Sequence, residues 1–93
     1  MFIGSLQVEL LIPDSTSLKE KRMVLASIKK RLQNKFNISV AELDHHDLWQ
    51  RASLGIVMVS NEQQHVRGAM DKILNFIDDQ DHSQVIDFQI EII

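Results

Sequence analysis

Hydrophobic and polar residues alternate along several stretches of this chain, and the alternation predicts β-strands. The segments "FIGSLQVELLI" and "QVIDFQIEII" each place apolar residues at every second position, as expected of strands with one buried face. "NISVAELD" predicts another strand ending near Asp44, and "SLGIVMVS" predicts a central strand that is apolar on both faces. Phe2 and Phe88 are expected to face the helices, and Gly55 to mark a bulge or a close backbone approach.

Two further stretches carry apolar residues at helical spacing. From Leu18 to Phe36 these residues fall within an arc of about 120°, which predicts an amphipathic helix. The preceding "SLKE" matches a capping box, in which the Ser17 hydroxyl accepts from the backbone of Glu20 and the Glu20 carboxylate reaches back. The second helix contains "VRGAMDKILNFI", and Ser60 or Asn61 is expected to cap it.

The resulting order, β-α-β-β-α-β, is that of the ferredoxin-like fold. The sequence thus predicts a single α+β domain over residues 1–93, with two helices on one face of a four-stranded antiparallel sheet. The other face of the sheet, called the open face below, is expected to carry Gln7, Glu9, Asp87, Gln89 and Glu91. Carboxylates there would repel phosphate, which argues against RNA bases stacking on the sheet.

The amino-acid composition excludes several kinds of site and segment. The chain has 93 residues, 44% of them hydrophobic, and no cysteine, which excludes disulfides and thiolate metal sites. The apolar run at the N-terminus lacks a basic region before it, and no stretch approaches the roughly 18 apolar residues of a membrane helix. We therefore expect a cytoplasmic protein without a signal peptide or a membrane partner.

Basic residues are concentrated in the first predicted helix. Seven of the ten lie between residues 18 and 36, whereas the rest of the chain has three basic and twelve acidic residues. Four side chains, called the basic arc below, are predicted to point away from the core: Lys19, Arg22, Lys29 and Lys30. Such an arc is often only a solvated surface, but it could also contact RNA phosphates or an acidic protein in a salt-dependent manner.

The segment "LDHHDLWQRA" occupies the connection between the second and third strands. Asp44 and Asp47 suit a turn because short carboxylates bond to nearby backbone. Trp49 is expected to lie over the hairpin or a strand edge, and Asp47 to pair with Arg51 across the loop at about 0.5 kcal/mol.

A metal or acid–base site in this connection is the alternative. However, His45 and His46 are adjacent, and neighbouring side chains on an extended chain point to opposite sides, so both would rarely bind one ion. No Gly-rich phosphate loop or nucleophile elbow accompanies them. We expect no catalytic residue, metal or cofactor, and rank an enzyme last among the candidate functions.

With the helix segment "SLKEKRMVLASIKKRL" and the hairpin segment "KFNISVAELDHHDLWQRASLGIVMVS" in place, the chain resembles the YlxP-like family, small bacterial proteins grouped as domain of unknown function 503. The resemblance covers essentially the whole length. Residues that match the family's hairpin motif are Asp44, Asp47, Trp49, Gln50 and Arg51. The resemblance to this family implies a ferredoxin-like α+β domain without implying an activity. Members are often encoded beside genes for translation initiation and ribosome maturation, an associational hint towards the ribosome.

Two functions remain open from the sequence. The first is a non-enzymatic module that binds ribosomal RNA or a ribosomal subunit, rather than DNA, through the basic arc, with Arg51 and the hairpin residues Asp44, Asp47 and Trp49 as further contacts. The second is a homodimeric or protein-interaction domain that uses strand edges and apolar spots on the open face, where Ile3, Leu11 and Ile93 are expected.

Overall fold

Six elements follow one another in the predicted order in the computed structural model, which describes residues 1–93. They are β1 Phe2–Leu11, α1 Leu18–Lys35, β2 Ser39–Asp44, β3 Arg51–Ser60, α2 Gln63–Asp78 and β4 Gln84–Ile92. The strands form one sheet in the order β2-β3-β1-β4, and every neighbouring pair is antiparallel. Both helices cover the same face, which confirms the ferredoxin-like α+β fold.

The hydrophobic core lies between this sheet face and the two helices. Alternate residues of β1 and β3 join one stripe from each helix in a cluster of 15 buried residues. Gly4 belongs to the same face, and a Cβ added there would lie 2.5 Å from Cγ1 of Val66. Since no side chain fits in that space, α2 can approach β1 closely only at a glycine.

The central strand β3 is buried on one face only. Its residues Leu54, Ile56 and Met58 lie in the core, whereas Val57 and Val59 on the open face are 45% and 60% exposed. The prediction of a central strand that is apolar on both faces is therefore right. The apolar residues on its open face are exposed because no second layer covers that face.

Phe2 and Phe88 both lie on the helix side of the sheet, as predicted. Phe2 packs partly buried against the core. Phe88 pairs in register with the buried Val8 and so points to the same side, although it is 52% exposed. It lies on the edge strand β4, close to a register shift between Glu9 and Leu10, which leaves half of its ring open to solvent.

The helix caps follow the sequence in part. Ser17 Oγ accepts from the backbone nitrogen of Glu20 at 3.1 Å, as predicted, but the Glu20 carboxylate accepts from the backbone and hydroxyl of Thr16 rather than from Ser17. These two hydrogen bonds hold the pKa of Glu20 below its ordinary value.

For α2, the cap prediction is wrong: the helix begins after Glu62 without a side-chain cap, because the Ser60 hydroxyl bonds to the Glu62 backbone before the helix starts.

Neither helix has the length and apolar character needed to cross a membrane.

Candidate functional site: a clamped hairpin loop beside a basic helix

A buried lysine holds the loop between β2 and β3, residues 45–50, which is called the hairpin loop below. The Lys21 side chain is 1% exposed, and its Nζ lies 3.3 Å from Oε2 of Glu42. The same Nζ donates to the carbonyl oxygen of His45 at 2.7 Å and to that of Arg51 at 3.2 Å. Because an ammonium group has three donors, Lys21 ties Glu42 of β2 and the first residue of the loop to Arg51, the first residue after the loop.

The hairpin loop begins with a left-handed backbone conformation. His45 has a φ of 65°, a region in which histidine, asparagine and aspartate are enriched among non-glycine residues. Asp44 accepts from the backbone nitrogen of His45 at 2.7 Å, which confirms the turn role predicted for that carboxylate. The His45 carbonyl also accepts from Leu48 at 3.0 Å, so the first four residues form a β-turn.

The other end of the hairpin loop is bonded to the connection between β1 and α1. The Gln50 side chain donates to the carbonyl oxygens of Pro13 and Ser15, at 3.1 Å each. Its own carbonyl accepts from the backbone of Ile12 at 2.9 Å. These bonds place the loop directly beside the N-terminal end of α1.

The two histidines point to opposite sides of the sheet, as predicted from their adjacency. His45 Nε2 lies 3.6 Å from Oε2 of Glu9, and Glu9 also accepts from the Ser53 hydroxyl at 2.8 Å on the open face. His46 Nε2 lies 3.9 Å from Oε1 of Glu42 on the helix side. Each imidazole therefore has a carboxylate of its own, and the two do not meet at one point.

The chemistry available around the loop is limited by these contacts. The Lys21 ammonium is enclosed by carbonyl oxygens and a carboxylate, which leaves it no free position towards a substrate. No group of three or more His, Asp or Glu side chains lies close enough together to hold a metal ion. The arrangement supports a rigid backbone scaffold better than proton transfer.

The basic arc follows one flank of α1. Lys19, Arg22 and Lys30 are exposed, and Lys29 is partly buried. On the other flank, Arg31 bonds to Gln80, just beyond the end of α2, at 3.1 Å. The basic arc therefore lies on the side of α1 away from this contact.

Arg51 belongs to a different surface. It pairs in register with Leu11 and lies in the same alternate set of β3 residues as Ser53 and Val57, on the open face. A single surface that combines Arg51 with the basic arc, as the sequence suggested, is not the observed arrangement. The predicted Asp47–Arg51 ion pair is also absent, because the Arg51 side chain points to the face opposite α1.

The remaining hairpin residues are displayed to solvent. Trp49 is 55% exposed, so much of its indole ring is open to solvent. Asp47 is exposed and makes no side-chain hydrogen bond within the chain. Leu43 lies across Gly55, where an added Cβ would be 2.8 Å from its Cδ1, so what approaches this glycine closely is a side chain rather than backbone.

Sequence reasoning missed Lys21 because it counted this lysine with the solvated charges. A signal was present: positions 18, 21, 25, 28 and 32 are spaced three and four apart along α1, so Lys21 occupies a place within the apolar stripe. A lysine there must be buried and must find acceptors. What the spacing could not reveal is that the acceptors come from the hairpin loop.

Comparison with known proteins identifies the family of this chain. The model of the family described as "Protein of unknown function (DUF503)" matches residues 3–90. The chain is also 46% identical over 76 residues to the "Uncharacterized protein YlxP" of Bacillus subtilis, a match that covers 82% of this chain and 83% of that protein. Both the family match and the level of identity extend across the helix and hairpin segments described above, and the chain therefore belongs to the DUF503 family of YlxP-like proteins.

Proposed function

We propose that this protein is a non-enzymatic, cytoplasmic RNA-binding module whose target is ribosomal RNA in a ribosomal subunit. One observation carries the proposal: the basic arc is not neutralised. All the ion pairs within 4.0 Å involve Lys21, His45 or His46, so Lys19, Arg22, Lys29 and Lys30 have no carboxylate partner. Unpaired lysine and arginine on one helix flank suit a phosphate backbone.

The distribution of negative charge favours the same surface. Glu9 pairs with Asp87, and Ser5 with Glu91, on the open face, so carboxylates cover much of the side opposite the helices. Phosphate is repelled there and attracted to the flank of α1. This separation orients an RNA ligand before contact is made.

The hairpin loop supplies a second kind of contact. Trp49 is exposed on a loop whose backbone is held beside the start of α1 by Lys21 and Gln50. An exposed indole can stack on an unpaired base, and Asp47 offers an acceptor for a base amino group. The proposal is that phosphates lie along the basic arc while an unpaired base stacks on Trp49.

The test is co-sedimentation with purified ribosomal subunits over a range of salt concentrations. Lys19→Glu/Lys30→Glu changes two exposed residues of the arc, and Arg31→Glu/Arg67→Glu makes the same charge change at exposed positions outside the arc as a matched control. We expect salt-sensitive binding by the unmodified protein and by the control. Lys19→Glu/Lys30→Glu should bind much more weakly, and the slope of its log binding constant against log salt concentration should be smaller in magnitude by about 1.5. Equal binding by both variants, or no binding by the unmodified protein at low salt, would overturn the proposal.

A second function, homodimerisation through the open face, is favoured by an apolar row across three strands. Val59 pairs with Ile3, and Ile3 exchanges two backbone hydrogen bonds of 2.9 Å with Ile93. Val57 lies beside this row. With a two-fold axis through the row, apolar side chains of two copies meet while the carboxylates of each copy remain apart.

Light scattering after size-exclusion chromatography tests this second function. We expect a dimer at high protein concentration that Val59→Glu converts to a monomer. Ile86→Glu is the matched control, because Ile86 is also exposed and apolar but lies elsewhere, on β4. A monomer at every concentration, or a dimer that survives Val59→Glu, contradicts it.

A further inference from the structure

A groove of about 490 Å³ opens between the C-terminal end of α1, the first half of α2 and the end of β3. Its volume falls within the range of small-molecule sites, roughly 300–1,000 Å³. β3 runs from the hairpin loop at Arg51 to Met58 in the groove, which separates the two by about 20 Å at the rise of a strand. The groove is thus a different place from the hairpin loop, and none of the four residues of the basic arc lines it.

The lining of this groove is cationic and apolar, without any carboxylate. Lys35, Lys72 and His65 are among its 12 lining residues, half of which are hydrophobic, and none is Asp or Glu. This composition contrasts with the chain as a whole, which has 13 acidic residues and a net charge of −3. Neither lysine has a carboxylate within 4.0 Å.

Lys35 is held at the groove by aromatic rings. Its Nζ lies 5.0 Å from the ring centroid of Phe76 and 5.8 Å from that of Phe36. The two rings are packed edge to face, 6.2 Å apart. A cation over an aromatic face is attracted to the ring, so the Lys35 charge is positioned without being neutralised.

Gly68 is a second, independent observation at the groove wall. It lies inside α2, where glycine costs about 1 kcal/mol relative to alanine. A Cβ at this position would meet no atom within 4 Å, so packing does not require glycine here, in contrast to Gly4. The position therefore leaves open space at the wall of the groove.

We infer that this groove binds a phosphate monoester with a planar apolar body, of the size of a mononucleotide. A phosphate monoester carries nearly two negative charges near neutral pH and so matches two lysines better than a single carboxylate does. The apolar body lies against the partly exposed hydrophobic side chains of the lining, Phe36, Ile38 and Ala69. This inference does not depend on RNA binding by the basic arc.

The test is a two-dimensional NMR titration of the whole chain with adenosine monophosphate. We expect saturable shifts confined to the amides of the groove, such as Asn37, His65 and Gly68. Lys35→Gln/Lys72→Gln should weaken binding about tenfold or more, whereas Lys30→Gln/Arg67→Gln, with the same change in charge, should not. Gly68→Leu should keep the fold and abolish binding by filling the groove.

Three further probes decide the chemistry of the ligand. Inorganic phosphate and adenosine must each bind more weakly than adenosine monophosphate, since each offers only one half of the recognition. Octanoate that binds as tightly as the phosphate ester would overturn the choice of phosphate. Absence of saturable shifts with adenosine monophosphate, or shifts that persist unchanged in Lys35→Gln/Lys72→Gln, would overturn the site itself.

Discussion

The ammonium nitrogen of Lys21 lies 2.7 Å from the carbonyl oxygen of His45, 24 positions further along the chain. This contact joins the first turns of α1 to the hairpin loop, and the Glu42 carboxylate balances the buried charge. A helix that would otherwise only cover the sheet therefore also fixes the backbone that displays Trp49. The rigidity of the loop is a property of the helix as much as of the turn.

Replacing Lys21 should destabilise the protein strongly. Lys21→Met keeps the apolar stem but leaves two carbonyl oxygens and the Glu42 carboxylate without their donor, which should lower the free energy of unfolding by about 3 kcal/mol. Urea denaturation followed by circular dichroism measures this. Lys30→Met, at an exposed position, should change stability by less than about 0.5 kcal/mol.

A double substitution separates loss of the ion pair from loss of packing. Lys21→Met/Glu42→Leu removes the stranded carboxylate as well, so it should be less destabilised than the sum of the two single variants. Additive losses would mean that Glu42 and Lys21 do not act together.

Stability should fall in acid through the first turn of α1. Hydrogen bonds from Thr16 lower the pKa of Glu20 below the unfolded value of 4.5, so the unfolded state takes up a proton first as the pH falls. The contribution of Glu20 to the free energy of unfolding is thus complete above the pKa of the unfolded state. It disappears as the pH drops through the lowered pKa of the folded state. In Glu20→Gln, urea midpoints between about pH 5 and pH 3 should depend less on pH than in the unmodified protein. Glu62→Gln should retain the original dependence.

Replacing Gly68 and Gly4 by alanine should change the free energy of unfolding in opposite directions. Gly68→Ala should raise the free energy of unfolding by about 0.5–1 kcal/mol, because the helix gains propensity and the methyl group meets no atom. Gly4→Ala should lower it by about 1–3 kcal/mol, because the methyl group would clash with Val66. Thermal unfolding of the two variants side by side checks the pair, and a shift of both in one direction contradicts the packing described.

The left-handed backbone at His45 predicts a ranking of substitutions. His45→Asn should be nearly neutral, since asparagine tolerates a φ of 65°. His45→Val should cost about 1–2 kcal/mol more, because its Cβ branching opposes that conformation. Both variants lose the contact with Glu9, so the difference between their unfolding free energies isolates the backbone effect.

Trp49 and the basic arc should contribute to RNA binding in different ways. Trp49→Ala should weaken binding by about 1–3 kcal/mol while leaving its dependence on salt unchanged, since base stacking releases no counterions. Filter binding with single-stranded ribosomal RNA fragments at several salt concentrations measures both quantities. Leu48→Ala, a neighbouring exposed change, is the control, and a Trp49→Ala variant that binds like it would remove the loop from the RNA surface.

Periodicity in the sequence determined the elements, their order and the fold, because a sheet face or helix stripe with that spacing can be buried in few ways. It also determined the charge of α1, the capping role of Ser17 and the carboxylates of the open face. Each of these depends on residues close together in the chain or on a regular alternation.

Tertiary structure alone decided which of these features lie together. Lys21 is buried because carbonyl oxygens of a distant loop surround it, Arg51 is separated from the basic arc because β3 turns it to the other face, and Phe88 is exposed because β4 ends the sheet. The groove beside Gly68 likewise exists only where three elements meet. Contacts between residues far apart in sequence depend on packing and register, which local patterns do not encode.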